Sequence, residues 1–178
     1  MTEKKKNLSD YIPFEFSSAN QTRIGIVVSE WNDHITDSLL EGAKNCLLEH
    51  GIEAGNITVY HVPGSFELPL GAKWLLEKTS VDAVICIGCI IQGETRHFDF
   101  IAQAVADGIM NVGLKYSKPV IFSVLTCNTM EQAEDRAGGK HGNKGVEGAI
   151  SALKMLALEK NFNVLPFCRN VARNVSHQ

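Results

Sequence analysis

Two rhythms of apolar and polar residues alternate along this chain. Short runs rich in β-branched residues, RIGIVVSE (23–30), NITVYHV (56–62), VDAVICIGCII (81–91) and KPVIFSVLT (118–126), read as strands. Between them the apolar positions space out to three and four residues. Ile35, Leu39, Ala43, Cys46 and Leu47 define one face of a helix within residues 32–51, which Gly51 stops. A second helix runs through FELPLGAKWLLEKT (66–79), with Pro69 limiting its first turn. A third carries the stripe Phe98, Ile101, Val105, Ile109 and Val112. After the fourth strand come two more helical segments, TMEQAEDRA (129–137) and one with Val146, Ile150, Leu153 and Leu156 inward, split by the glycine-rich AGGKHGNKG. The run 81–91 is apolar on both faces, as a parallel strand covered by helices on both sides must be. The alternation predicts a doubly wound α/β fold, a three-layer α/β/α sandwich around a four-stranded parallel sheet.

The same reading divides the chain into an irregular arm (1–20), one domain (21–160) and a mildly basic tail (161–178). A length of 178 residues with 44% hydrophobic content suits a single domain with a real core. A net charge of −3 gives no electrostatic case for nucleic acid or for an anionic membrane. The N-terminal lysines precede no apolar run, so no secretory signal is expected, and VDAVICIGCII falls far short of the roughly 18 residues of a membrane span. A soluble, cytoplasmic protein is expected. Cys86 and Cys89 spell C-x-x-C, yet residues three apart on a strand point to opposite faces and no second pair supplies zinc ligands. Core thiols are the expectation.

Ligands of open α/β sheets bind outside the carboxyl ends of the strands. Here those ends deliver SEWND, VPGSFE, IIQGETRH and LTCNTM. In the third, Gly88, Gly93 and Thr95 fit the spacing of the phosphate loop of nucleotide hydrolases, but Glu94 stands where that loop has lysine. A helix start offers an anion unpaired N–H groups and a positive dipole end without any lysine, and Thr95 adds a hydroxyl. On this stretch alone, plain capping by Glu94 and Thr95 with no ligand stands level with anion binding. His97 follows within a turn. A lone helical histidine is more often structural or merely exposed, but a place at a strand-end cleft favours proton transfer. Asp99 does not face it from two residues on. Trp31 and Phe66 directly follow the first two strands; such aromatics fill core, or stack on a planar heterocycle whose polar groups Ser65 and Glu67 hydrogen-bond. Arg136 offers a planar fork suited to phosphate, with Lys140 and Lys144 nearby as point charges. The plain alternative is a solvated helix end with glycine C-caps.

Three motifs in order, GSFELP (64–69), GETRHFDF (93–100) and DRAGGKHGNKG (135–145), resemble the lumazine synthase family, and the likeness runs from Arg23 to Glu159. The resemblance implies a flavodoxin-like fold. It also implies condensation of 5-amino-6-(D-ribitylamino)uracil with 3,4-dihydroxy-2-butanone 4-phosphate to 6,7-dimethyl-8-ribityllumazine, phosphate and water, the penultimate step of riboflavin biosynthesis. Neither metal nor organic cofactor is implied. By position, Trp31 matches the aromatic that stacks on the pyrimidine. Ser65, Phe66 and Glu67 match the segment holding the ribityl arm. Cys89, Ile90 and Ile91 match the strand end against the ring. Glu94 and Thr95 match the phosphate turn, and His97 the proton-transfer residue. Phe122 and Arg136 match residues lining the site, Arg136 as phosphate partner, and both are expected to act across a subunit interface. Asn32 and Lys144 are further candidates. The family assembles as homopentamers, some closing into sixty-subunit icosahedral capsids, with riboflavin synthase as an implied partner. Gln92 departs from the family pattern, standing where relatives often carry a basic residue, and Cys89 replaces a commonly small or hydroxylated one, which raises the expectation of an oxidation-sensitive pocket. The rival reading is a flavin- or phosphate-binding module of the same fold without turnover. The presence of both His97 and Arg136 weighs against it, since a binder needs no proton-transfer group beside a leaving phosphate.

Overall fold

The computed structural model describes residues 18–164, together with Asn7, residues 9–12, Phe14 and Phe16, with side chains through Phe162; Cys168 and the tail beyond Val164 lie outside the described residues. Strands β1 (Ile24–Ser29), β2 (Ile57–Val62), β3 (Ala83–Ile91) and β4 (Val120–Cys127) form one parallel sheet in the order β2-β1-β3-β4. Helices α1 (Asp33–Glu49) and α5 (Lys144–Val164) cover one face, and α2 (Leu68–Lys78) and α3 (His97–Tyr116) the other. This is the predicted three-layer sandwich.

Side-chain alternation on the strands decides which layer each residue joins. Ile85, Ile87 and Cys89 of β3 pack with Ile26, Leu39, Ala43 and Leu153 on the α1/α5 side. Val84, Cys86 and Ile90 pack with Val27, Leu68, Ala72, Val105 and Ile109 on the α2/α3 side. Cys86 and Cys89 therefore sit in different layers, and both are free and buried. Gly51 ends α1 with a left-handed φ of 84°, as the sequence anticipates. Pro69 falls in the first turn of α2, where its missing N–H removes no helical bond. No helix among the described residues is long and apolar enough to cross a membrane.

The segment 129–137 differs from its expectation as one helix. Only Met130–Glu134 is helical (α4), with Thr129 Oγ1 accepting from the Gln132 N–H, and a small antiparallel hairpin of β5 (Ala137–Gly139) and β6 (Gly142–Asn143) follows. Gly138 and Gly142 adopt φ of 113° and 80°, which glycine alone reaches freely, so the hairpin replaces the last turn of the expected helix. The Asn143 side chain then fastens three elements. Its Oδ1 accepts from the N–H of Gly145 at 2.8 Å, and its Nδ2 donates to the Ser38 carbonyl at 3.0 Å. Described residues of the N-terminal arm pack on the chain's own α1/α5 layer: Phe16 is buried there, and the rings of Tyr11 and Phe14 lie 5.5 and 5.4 Å from His50.

The start of α5 approaches α1 so closely that a Cβ on Gly145 would stand 1.8 Å from the Leu39 carbonyl oxygen. Gly145→Ala is expected to cost about 3 kcal/mol or more, because backbone cannot swing aside as a side chain can. For a domain of this size that is a fall in Tm of roughly 6–12 °C. Calorimetry checks it, and an unchanged Tm would mean the two helices are not held at this separation.

Candidate functional site

The sheet order places a topological switch between β1, whose chain continues to β2 on one side, and β3, whose chain continues to β4 on the other. The β1–β3 ladder ends at Val28↔Ile87, while β3 continues beside β4 to Ile91↔Cys127. A cleft of about 430 Å³ opens beyond that point. It is lined by Trp31 and Asn32 after β1, Gly64, Ser65, Phe66 and Glu67 after β2, Cys89, Ile90 and Ile91 at the end of β3, and Gly93, Thr95, His97, Phe98 and Ile101 at the start of α3.

The walls are aromatic and the fixed groups polar. Trp31 is 72% exposed and Phe66 57%, so their rings are presented to the cleft rather than consumed by the core. One carboxylate oxygen of Glu67 accepts the Gly64 N–H at 3.0 Å, which holds the side chain in place with its other oxygen spare. Ser65 is buried, and its hydroxyl has no hydrogen-bond partner among the described residues. At the cleft wall this hydroxyl is placed to hydrogen-bond a polar group entering the cleft. Helix α3, 20 residues long, begins at His97 and brings the positive end of its dipole beside Thr95. The His97 imidazole has no hydrogen-bond partner among the described residues; only the backbone N–H of His97 is engaged, by Thr95 Oγ1 at 3.4 Å. Burial pushes the Cys89 thiol up to about 12 and raises Cys127 as well. Both thiols stay protonated near neutral pH, so Cys89 is a wall of the pocket, with little of the thiolate that oxidation requires.

Several candidates stand elsewhere. Gly88 is a mid-strand residue of β3, not a loop glycine: a Cβ there would meet Ser65 Oγ at 2.7 Å, so its role is close packing. Glu94 is exposed and outside the cleft lining, and makes no capping bond. Phe122 lies on the edge strand β4, half-buried against the α2/α3 layer. Arg136 donates to the Gln132 carbonyl at 2.8 Å, at the end of α4. Lys144 pairs with Glu147 at 2.6 Å on its own helix. Within one chain, neither Phe122, Arg136 nor Lys144 lines the cleft. The structure adds Gly64, Gly93, Phe98 and Ile101 to the lining. Phe98 and Ile101 belong to the helix stripe assigned to the core, but sit in the first turns after the phosphate-type turn, where a core-facing side chain also borders the strand end.

The sequence model described as 6,7-dimethyl-8-ribityllumazine synthase matches residues 21–160. A protein of that name from Cytophaga hutchinsonii is 61% identical over 157 residues, covering 88% of this chain and 98% of the relative. Another from Porphyromonas gingivalis is 54% identical, covering 86% of this chain and 96% of the relative. A third, from Parabacteroides distasonis, is 51% identical over 88% of this chain and 98% of its own length.

Proposed function

We propose that this chain, which belongs to the 6,7-dimethyl-8-ribityllumazine synthase family, condenses 5-amino-6-(D-ribitylamino)uracil with 3,4-dihydroxy-2-butanone 4-phosphate to 6,7-dimethyl-8-ribityllumazine. The observation that carries this reading is the convergence, in one cleft, of exposed rings for a planar heterocycle, a fixed carboxylate and an unpaired hydroxyl for its polyol arm, and a helix start for a phosphate. The uracil stacks on Trp31, with Phe66, Cys89, Ile90 and Ile91 around it, and its ribityl arm reaches Ser65 and Glu67. The butanone phosphate lies toward Thr95 and the N-terminus of α3.

The chemistry asks little of the protein. The 5-amino nitrogen attacks the butanone C2 carbonyl, and the imine forms with loss of water. A proton leaves C3 and the C4–O bond breaks, releasing inorganic phosphate and leaving an enol that becomes a ketone at C3. The ribityl-substituted amine attacks that ketone, and a second water departs as the ring closes. Holding both reactants in register supplies most of the acceleration, and electrostatic stabilisation of the leaving phosphate adds to it. His97, free in the cleft beside the helix start, moves the protons at C3 and at the leaving oxygens.

A nucleotide hydrolase needs its lysine on the β- and γ-phosphates. A single monoester that must leave is served by backbone amides and one arginine, which fits glutamate at residue 94. That arginine is Arg136, brought with Phe122 from a neighbouring copy. Supporting this, the β4 edge is apolar where it meets solvent: a groove of about 540 Å³ between α3 and α5 is lined by Met110, Leu114, Val120, Met155, Leu158 and Phe162. Leu114 is 72% exposed there and Phe162 61%, large apolar side chains gathered on one edge as at an interaction surface. The assembly is a homopentamer, and the short 138–145 connection suits closure of pentamers into a sixty-subunit shell.

One assay tests the reaction. With both substrates present, lumazine absorbance and phosphate release should rise one for one, depend on the aminouracil and be indifferent to chelator. Tight binding of the aminouracil or of riboflavin, with lumazine no faster than the spontaneous background, would instead make the chain a binding module.

A further inference from the structure

Asn32 occupies the N-cap of α1, where asparagine normally accepts an N–H of the first turn through Oδ1. Here its side chain makes no capping bond, and its backbone is left-handed at φ 61°, ψ 47°. The amide instead donates through Nδ2 to the Cys89 carbonyl at 3.0 Å. A carbonyl only accepts, so the contacting atom is the amide nitrogen. The position of Cys89 explains the bond. The β1–β3 ladder stops at Val28↔Ile87, so the extension of β3 from Gly88 onward has no strand on its β1 side. The Asn32 amide supplies a donor just past the end of that ladder, at the floor of the cleft.

The consequence falls on Trp31. Its indole is exposed, so core packing does not hold it. Before it, the Glu30 N–H still bonds to the Val62 carbonyl at 2.9 Å, keeping the chain against β2. After it, Asn32 turns the backbone and ties it to β3. The ring edge rests over Gly64, where a Cβ would meet Trp31 Cδ1 at 3.4 Å. We infer that Asn32 is a positioning residue: its left-handed turn and its bond to the Cys89 carbonyl span the gap between β1 and β3, fix the Trp31 indole as a wall of the cleft, and thereby set affinity for the planar ring of the aminouracil. The inference rests on the reading of Trp31 as the stacking surface.

Three variants separate backbone from amide. Asn32→Gly keeps access to the left-handed turn and loses the donor, Asn32→Ala loses both, and Asn32→Asp keeps the shape but cannot donate. Trp31 and Trp74 are the only tryptophans, so a Trp74→Phe background isolates the signal of Trp31. In the ligand-free protein, Asn32→Gly should shorten the local rotational correlation time of Trp31. In turnover it should raise KM for the aminouracil about tenfold, the worth of roughly one hydrogen bond. The kcat and the KM for the butanone phosphate should stay within about threefold, since uniform binding is what is lost. Asn32→Asp should do at least the damage of Asn32→Gly, since its carboxylate faces the Cys89 carbonyl as acceptor to acceptor, and Asn32→Ala should be worse than Asn32→Gly. Wild-type anisotropy and wild-type KM in Asn32→Gly would overturn the assignment, as would equal damage to kcat and both KM values in step with lost Tm. Should the parent protein make no lumazine at all, the functional reading fails, while the anisotropy of ligand-free Trp31 still decides the role of Asn32.

Discussion

His97→Ala should lower kcat roughly 10²–10⁴-fold and still leave activity above the spontaneous background. The range follows from what the side chain is asked to do. An aromatic amine attacks a ketone without enzymatic activation, so the first bond forms wherever the two reactants are held together. The slow steps move protons, at C3 as phosphate leaves and at the nitrogens as the ring closes. In the cleft, the Glu67 carboxylate is held by the Gly64 N–H, with its spare oxygen assigned to the ribityl arm, and the Cys89 thiol is held protonated by burial. His97 is the imidazole among the lining residues, and among the described residues nothing hydrogen-bonds it. Alanine is tolerated in the first turn of a helix, so the variant should fold with its phosphate site intact. Both KM values should therefore change little, and added imidazole should restore part of the rate. An unchanged kcat would show that water carries the protons. Complete loss in a folded variant would show that His97 does more than transfer them.

How much of this was legible in the sequence depended on which physics fixed each feature. The sheet was legible because parallel strands buried on both faces must be apolar throughout, and VDAVICIGCII can be little else. The split of Cys86 from Cys89 followed from the two-residue period of a strand. The cleft followed from topology: once strand ends were located, the residues after β1, β2 and β3 had to meet at the switch point. What escaped were features set by tertiary contact. TMEQAEDRA has helical composition to its end, but the hairpin after Glu134 depends on Ala137 and Gly139 pairing with Asn143 and Gly142, which no local preference encodes. Gly88 fitted a phosphate-loop spacing while lying in the predicted strand 81–91, and only the contact a Cβ there would make with Ser65 gives the glycine its reason. The Asn32–Cys89 bond joins residues 57 apart, and composition alone marks neither as a pair. Phe122 was singled out by family likeness alone and Arg136 first by its planar fork, and among the described residues of one chain neither lines the cleft.

That last fact yields the sharpest test of assembly. Arg136→Ala should raise KM for the butanone phosphate about a hundredfold, the usual consequence of removing one partner from a charged hydrogen-bonded pair, with the aminouracil much less affected. Equal loss for both substrates would remove the phosphate from Arg136. Now combine the two variants. If Arg136 serves the cleft of a neighbour, every site draws its His97 and its Arg136 from different chains. Co-expressing His97→Ala with Arg136→Ala then builds some sites in which both residues are intact. With random mixing around a ring, half the clefts keep His97 and half of their neighbours keep Arg136, so about one quarter of wild-type activity should return. Mixing the two already assembled proteins should restore nothing until subunits exchange. Sedimentation of the co-expressed sample identifies whether free pentamers or closed shells carry the recovered activity. If both residues served the cleft of their own chain, each chain would carry one lesion, no site would be whole, and co-expression would leave only the average of the two residual activities. The two outcomes differ by geometry alone: among the described residues of one chain Arg136 bonds to the end of α4 and does not line the cleft, so any charge it supplies there has to come from a second copy.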